Sequence, residues 1–439
     1  SVPTETISLV GSQNVIRLAR LPLPTAGFDS RRIYRSADPG AAVPTYTLVA
    51  EINATDTMFT DTGEQIGGPL RVNLDGLRPR LDARLAIDPG VIVKLNGATL
   101  ETRFGGQIIA EGLEGQEVIF TSVNDDRFGR GGTFDVNNNA DLSVPAPGDW
   151  GGIFFGPSTR GSLDFAQVSF AGGNVRIAGG FASFNPIEIQ QADVRIAHSL
   201  LARNADGGRS SSTPNRNGRG TNDSALIFVR GAQPIIIDNT MMDNAGAVIN
   251  INANALDSTL RTDTGRTTYN RGEDISSPIG MMEGFDDNHG PLVRLNQLDN
   301  NDVNGMLVRG ATLTTSSVWD DTDIVHVLLD QTVFVADLHT VGGLRLQSSP
   351  TESLVVKLRG PNAGFTATGR PLDITDRIGG SLQIVGHPRT PVVLTSIGDD
   401  TVGAGFKPDG TPQIDTDNNG VDTGDPSFPR LVTGPEVNN

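Results

Sequence analysis

Along most of the chain, apolar residues come in runs of three to six, each cut short by Gly, Asn or Asp. From residue 80 onward such runs fall at 91–95, 108–110, 118–121, 153–155, 168–171, 175–177, 187–189 and 194–197. They continue at 225–229, 235–237, 248–251, 293–295, 306–308, 324–329, 333–335, 344–346, 354–358, 382–385 and 392–394. Runs this short, rich in Val and Ile and bounded by turn formers, predict strands. Gly, Pro, Asn, Thr and Val recur too often for long helices.

One passage is written twice. Residues 105–129 read GGQIIAEGLEGQEVIFTSVNDDRFG and residues 379–403 read GGSLQIVGHPRTPVVLTSIGDDTVG, aligned without a gap. Each copy follows a strand ending in Val-Lys-Leu (Val93-Lys94-Leu95 and Val356-Lys357-Leu358). Each runs on into a loop rich in Asp and Asn that ends at Gly148-Asp149 or Gly424-Asp425. A duplication of this kind predicts a repeat architecture. A weaker repeat lies between the copies. Ser199…Asn204, Asn239…Asn244 and Asn296…Asn301 share a frame of a polar residue, four others and an Asn. In stacked coils, such an Asn can bond to its counterparts above and below, and it tolerates left-handed backbone angles.

The phrase PGVIVKL, the GG-x-I-x-A-x-G and VIFTS-x-x-DD segments, and Gly148-Asp149-Trp150-Gly151-Gly152-Ile153 carry a resemblance. They resemble right-handed parallel β-helix proteins of the pectate-lyase-like type, and in particular large secreted or surface-exposed bacterial β-helix proteins. The resemblance covers roughly residues 80–436 and implies an all-β solenoid whose stacked coils share one core. At ~22–28 residues per coil it would hold roughly 12–15 coils in a rod of roughly 60–70 Å. Residues 1–75 differ, with strands expected at 6–10, 15–21, 31–35, 46–52 and 58–60. There the segments RRIYRS, YTLVAEI and FTDTG resemble the middle of a fibronectin type III domain, implying a small β-sandwich-like domain ahead of the solenoid. Opening at Ser1 inside strand-like sequence, the chain reads as a processed product or a segment of something longer.

Composition narrows the setting. The net charge of −17 argues against nucleic acid or an anionic membrane as partner and suits divalent cations. With no Cys, disulfides, thiol catalysis and cysteine metal sites are excluded, and export is permitted. No apolar stretch approaches the ~20 residues of a membrane span. These features lead us to expect an extracellular or cell-surface location.

The candidate chemistry is calcium binding. Asp415, Asp417, Asn419 and Asp422 place oxygen donors at alternate positions, with Gly420 at the sharp turn, as at the start of an EF-hand loop. Pro426 stands where that loop needs its bidentate Glu, so the expectation is an isolated calcium turn. In the first copy Asp135, Asn137, Asn139 and Asp141 fall in the same frame, with Ala140 in place of the glycine. Asp125-Asp126 and Asp399-Asp400 stand ready to complete these sites or to cap strand ends. Two insertions, 207–223 and 254–290, are expected to project and to offer a binding face, for example to surface glycans.

Catalytic patterns are sparse: no P-loop, GxSxG or HExxH occurs, and the five His are scattered. The expected function is therefore a non-catalytic structural or adhesive protein, a calcium-stabilised rod that self-associates at the bacterial surface. The alternatives are a polysaccharide-degrading β-helix enzyme, with Asp286-Asp287-Asn288-His289-Gly290 as its nearest motif, and a glycan-binding module.

Overall fold

A computed structural model describes residues 15–19, 21, 29–36, 46–67, 83–129, 133–139, 143–208, 216, 218–266, 282, 284–285, 288–337, 342–369 and 379–421. The chain divides into two units, Ser1–Arg80 and Leu81–Asn439. In the first, Ile16–Ala19 pairs antiparallel with Met58–Asp61, and Ser30–Ser36 pairs antiparallel with Tyr46–Asn53. The half-buried Arg35 clamps Asp61 at 2.7 and 2.8 Å, joining the two pairs. The strand expected at 6–10 lies outside the described residues.

The second unit is an all-β parallel β-helix. Its longest sheet holds nine parallel strands. In stacking order they are Thr99–Thr102, Gly152–Phe155, Ile187–Gln190, Ile227–Arg230, Ala247–Asn252, Val303–Arg309, His326–Leu329, Val355–Arg359 and Val393–Ser396. A second sheet of six strands runs from Arg84–Ile87 to Leu292–Arg294, and a third, also of six, from Ile92–Leu95 to Gln297–Asp299. Through the middle of the chain each coil visits the long, second and third sheets in turn. Beyond Val303–Arg309, the strands Ser317–Trp319, Gly343–Gln347 and Ser381–Val385 form a three-stranded sheet, and Thr332–Val335 pairs with Gly364–Ala367.

Stacking creates the core. Leu100, Ile153, Ile187, Ile227, Ile249, Met306, His326, Val356 and Leu394 occupy one register position in successive strands of the long sheet. Burying each aliphatic member contributes about 1.5–3 kcal/mol, which no coil could gain alone. His326 is the one polar member of this ladder, fully buried and stacked on Trp319 at 5.2 Å.

Single left-handed residues turn the corners. Phe165, His198, Asp238 and Leu295 (φ 47–57°) lead from the second sheet to the third, and Phe170, Arg203, Asp243 and Asn300 (φ 51–61°) leave the third. Beside them run the asparagine stacks anticipated from the sequence. Asn239 Oδ1 accepts from Ser199 N and Asn296 Oδ1 from Asn239 N, while Asn204, Asn244 and Asn301 form a second stack. Each frame encloses a short strand, Leu200–Ala202, Thr240–Met242 or Gln297–Asp299. Equivalent corners lie 33, 40 and 57 residues apart. Coils of that length, enlarged by a hairpin and two insertions, explain why the long sheet has nine strands among the described residues where 12–15 coils were expected.

The described parts of the insertions lie down on the sheets, against the expectation that they project. Arg216 is fully buried against Glu188, and Arg219 clamps Glu101 at 2.8 and 2.9 Å. From the other insertion, Asp263 takes two hydrogen bonds from Arg195 at 2.6 and 3.0 Å, and Arg266 donates to the Gly112 carbonyl.

Candidate metal centre

The two copies of the repeated passage build the same local structure. In both, a threonine hydroxyl donates to an aspartate four residues on, Thr121 to Asp125 and Thr395 to Asp399. Both then bring a glycine against the returning loop, where a Cβ would meet the Thr133 oxygen at 2.4 Å (Gly129) or the Gln413 oxygen at 2.0 Å (Gly403). Both loops turn at a left-handed Asn, Asn138 (φ 53°) or Asn418 (φ 52°). One residue later a backbone N–H returns to the first Asp, from Asn139 to Asp135 at 3.3 Å and from Asn419 to Asp415 at 3.1 Å. A lysine from the preceding strand reaches each loop. Lys94 donates to the Phe134 carbonyl at 2.6 Å, and Lys357 donates to the Asp399 and Ile414 carbonyls at 2.8 and 3.0 Å.

The second loop gathers carboxylates. One oxygen each from Asp400, Asp415 and Asp417 lies within 4.8 Å of the others, the only such group of three or more metal-ligand side chains among the described residues. Asp417 Oδ1 is buried and accepts no hydrogen bond. Lys357 contributes a fully buried positive charge. Burial lowers its pKa, while Asp400, Asp399, Asp417 and Asp415 oppose that shift. For Asp399, burial works upward, but Thr395, Thr401 and Lys357 hold the carboxyl below its ordinary value.

The loop is also anchored on the third sheet. Leu298 N donates to Phe406 O at 3.0 Å and Gln413 Nε2 to Leu298 O at 2.7 Å. Asn304, last in the second asparagine stack, donates to the Asp415 carbonyl at 3.0 Å.

Of the residues expected to bind metal here, Asp415 and Asp417 come together, and Asp400 joins them from the neighbouring turn. The paired aspartates repeated in both copies were the sequence signal for that third ligand. Asn419 turns its Oδ1 to Val421 N at 2.7 Å, and Asp422 lies outside the described residues.

The first loop is built from amides. Asn137 donates to Asn124 Oδ1 at 3.0 Å and to Ser143 Oγ at 3.2 Å, and Asn139 also donates to Ser143. The Oδ1 atoms of Asn137 and Asn139 are buried and accept no hydrogen bond. Asp126 Oδ1 lies 4.0 Å from Lys94, and Asp141 lies outside the described residues. With Asn137 in the place of Asp417, this loop has fewer fixed negative charges to offer a cation.

Elsewhere, His198 and His289 are engaged by acids and His326 by the core. His198 Nδ1 lies 2.8 Å from Asp164, and Asp164 also takes Arg195 at 2.7 Å. His289 Nδ1 lies 2.6 Å from Asp320, while the preceding Asp286-Asp287 lie outside the described residues. No helix among the described residues is long and apolar enough to cross a membrane. In comparisons with known proteins, no protein-family model, no curated protein and no solved structure matches this chain.

Proposed function

We propose that this chain is a non-catalytic extracellular scaffold, a β-helical rod of the surface-exposed bacterial kind whose carboxyl-terminal coils are locked by calcium. The observation that carries this reading is the convergence of Asp400, Asp415 and Asp417 on a loop that also closes over the long and third sheets. A hard cation takes oxygen ligands, so a calcium ion there would tie the Asp399-Asp400 turn to the returning loop. It would thereby brace the strands beneath. In this reading the fibronectin-like leading domain, self-association of neighbouring rods and contact with surface glycans belong to the scaffold's work at the cell surface.

Thermal unfolding in millimolar calcium and in excess chelator tests the proposal. Calcium at a hundredfold excess over its Kd should add about 2.7 kcal/mol. Equal unfolding curves in the two conditions would remove the metal. Cleavage of acidic or neutral polysaccharides by the purified chain would replace the scaffold with the enzyme.

A further inference from the structure

A groove of about 620 Å³ runs along the corner where the long sheet passes into the second sheet, and no residue of either acidic loop lines it. Its floor is made by Ala192 and Ala232, small residues at successive corners that leave room above the backbone. One wall comes from the stem of the second insertion. That stem runs back along the second sheet, with Arg261 donating to the Gln233 carbonyl at 3.0 Å and lying 3.5 Å from Asp193.

The charged groups lining the groove are Arg160, Arg261, Asp193 and Asp257, two of each sign. Among the described residues, the exposed Arg160 guanidinium has no hydrogen-bond or ion-pair partner. A second observation lies one coil earlier. Gly105 N bonds to Ser158 O at 3.0 Å, which sets the turn carrying Phe104 beside the groove's Ser158 end. Phe104 is 87% exposed and sits at φ 42°, a left-handed angle that costs a bulky residue about 1 kcal/mol or more. Ser158, Gln191 and Gly231 take the same left-handed angle at this corner of the following coils, so the corner sets the backbone, and the exposure of the ring is what makes it a stacking platform.

We propose that this groove binds a neutral oligosaccharide lying along the stack of coils. Sugar hydroxyls both donate and accept, so two guanidinium and two carboxylate groups of zero net charge suit them, and a pyranose face suits the Phe104 ring. An anionic chain would meet Asp193 and Asp257. An apolar peptide would find no apolar side pockets in a floor of Ala192 and Ala232. Three corner spacings give about 14 Å, enough for a tri- or tetrasaccharide. The proposal rests on the reading of the chain as a scaffold that meets surface glycans, and gives that contact a site.

The test uses the full chain on immobilised malto-, cello-, xylo- and manno-oligosaccharides, with polygalacturonate, alginate and an extended peptide library for comparison. Measurements are made in calcium and again in chelator. Phe104→Ala and Arg160→Ala change exposed side chains, and unchanged thermal unfolding of each verifies the fold. We expect retention of at least one neutral oligosaccharide, weakened about tenfold by either substitution, the scale of one lost stacking or charged contact. Retention of anionic glycans alone, tighter binding of peptide, no retention, or retention unchanged in both variants overturns the proposal. Neutral-glycan binding without any calcium effect on unfolding would sink the metal reading and leave the groove standing. A calcium effect without glycan binding would do the reverse.

Discussion

The two copies of the repeated passage share their turns, their glycines and their lysines, yet they occupy different places in the helix. In the first, the lysine strand Ile92–Leu95 pairs with Val118–Ser122 in the third sheet. In the second, the corresponding strands Val355–Arg359 and Val393–Ser396 pair in the long sheet. Their loops have diverged too. Arg127 grips Asp125 at 2.7 and 2.9 Å, whereas Thr401 bonds to Asp399 at 2.6 Å. Asn137 in one stands where Asp417 stands in the other. The cassette is thus a portable strand–turn–strand unit, and the residues on its loop decide whether it closes through amides or gathers three carboxylates.

The glycines test what the copies share. Gly403→Ala should cost about 3 kcal/mol and Gly129→Ala about 2 kcal/mol, because a Cβ would strike backbone oxygen at 2.0 and 2.4 Å. Hydrogen exchange at each loop measures the two effects separately, and equal protection in wild type and variants would break the parallel.

Exchanging the charges tests what separates them. Asp417→Asn should abolish most of the calcium-dependent stabilisation, about 2 kcal/mol at saturating metal, and Asn137→Asp should create a weaker response in the first loop. Calorimetry with and without chelator checks both, and a calcium response that survives Asp417→Asn would place the ion elsewhere. Lys357→Met should cost about 2 kcal/mol in chelator, since it leaves two part-buried carbonyls and the carboxylates without their cation. The same change should be milder in calcium, where the metal supplies positive charge. Lys94→Met should cost less, its loop having fewer acids to balance.

Acid should loosen the second copy's end first. His326 lies in the strand beside Val355–Arg359, and burial pushes its pKa from 6.5 down to about 3, against a small opposing pull from the Ile324 backbone. The unfolded chain therefore binds a proton that the folded chain refuses. Stability is full above pH 6.5 and falls as pH drops from there toward 3. His326→Leu should remove that slope and leave stability at neutral pH within about 1–2 kcal/mol. A pH profile identical in wild type and variant would show that other groups control the acid limb. The smallest effect belongs to Arg127→Ala, about 1 kcal/mol because the guanidinium is 45% exposed.

Much of this was legible in the sequence. The short Val- and Ile-rich runs became strands at nearly the expected positions, and the repeated Asn frames became bonded stacks, because strand and corner preferences are set by neighbours along the chain. The strands inside those frames were harder to see. Leu200–Ala202 and Gln297–Asp299 are three residues long and carry no alternation to mark them. The insertions looked like projecting loops because Arg216, Asp263 and Arg266 are polar, and their partners lie on strands or at a strand end 28 to 154 residues away.

The sequence by itself determined the class of fold, the duplication and the acidic character of the two loops, all of which depend on local spacing. Only the tertiary structure decided which sheet each copy joins, how many coils share the core, and that Asp400 meets Asp415 and Asp417. It also decided that His326 stands in an aliphatic ladder. Those outcomes rest on which strand stacks on which. Stacking is chosen by the total apolar surface that whole coils bury together, a quantity that no local stretch of chain contains.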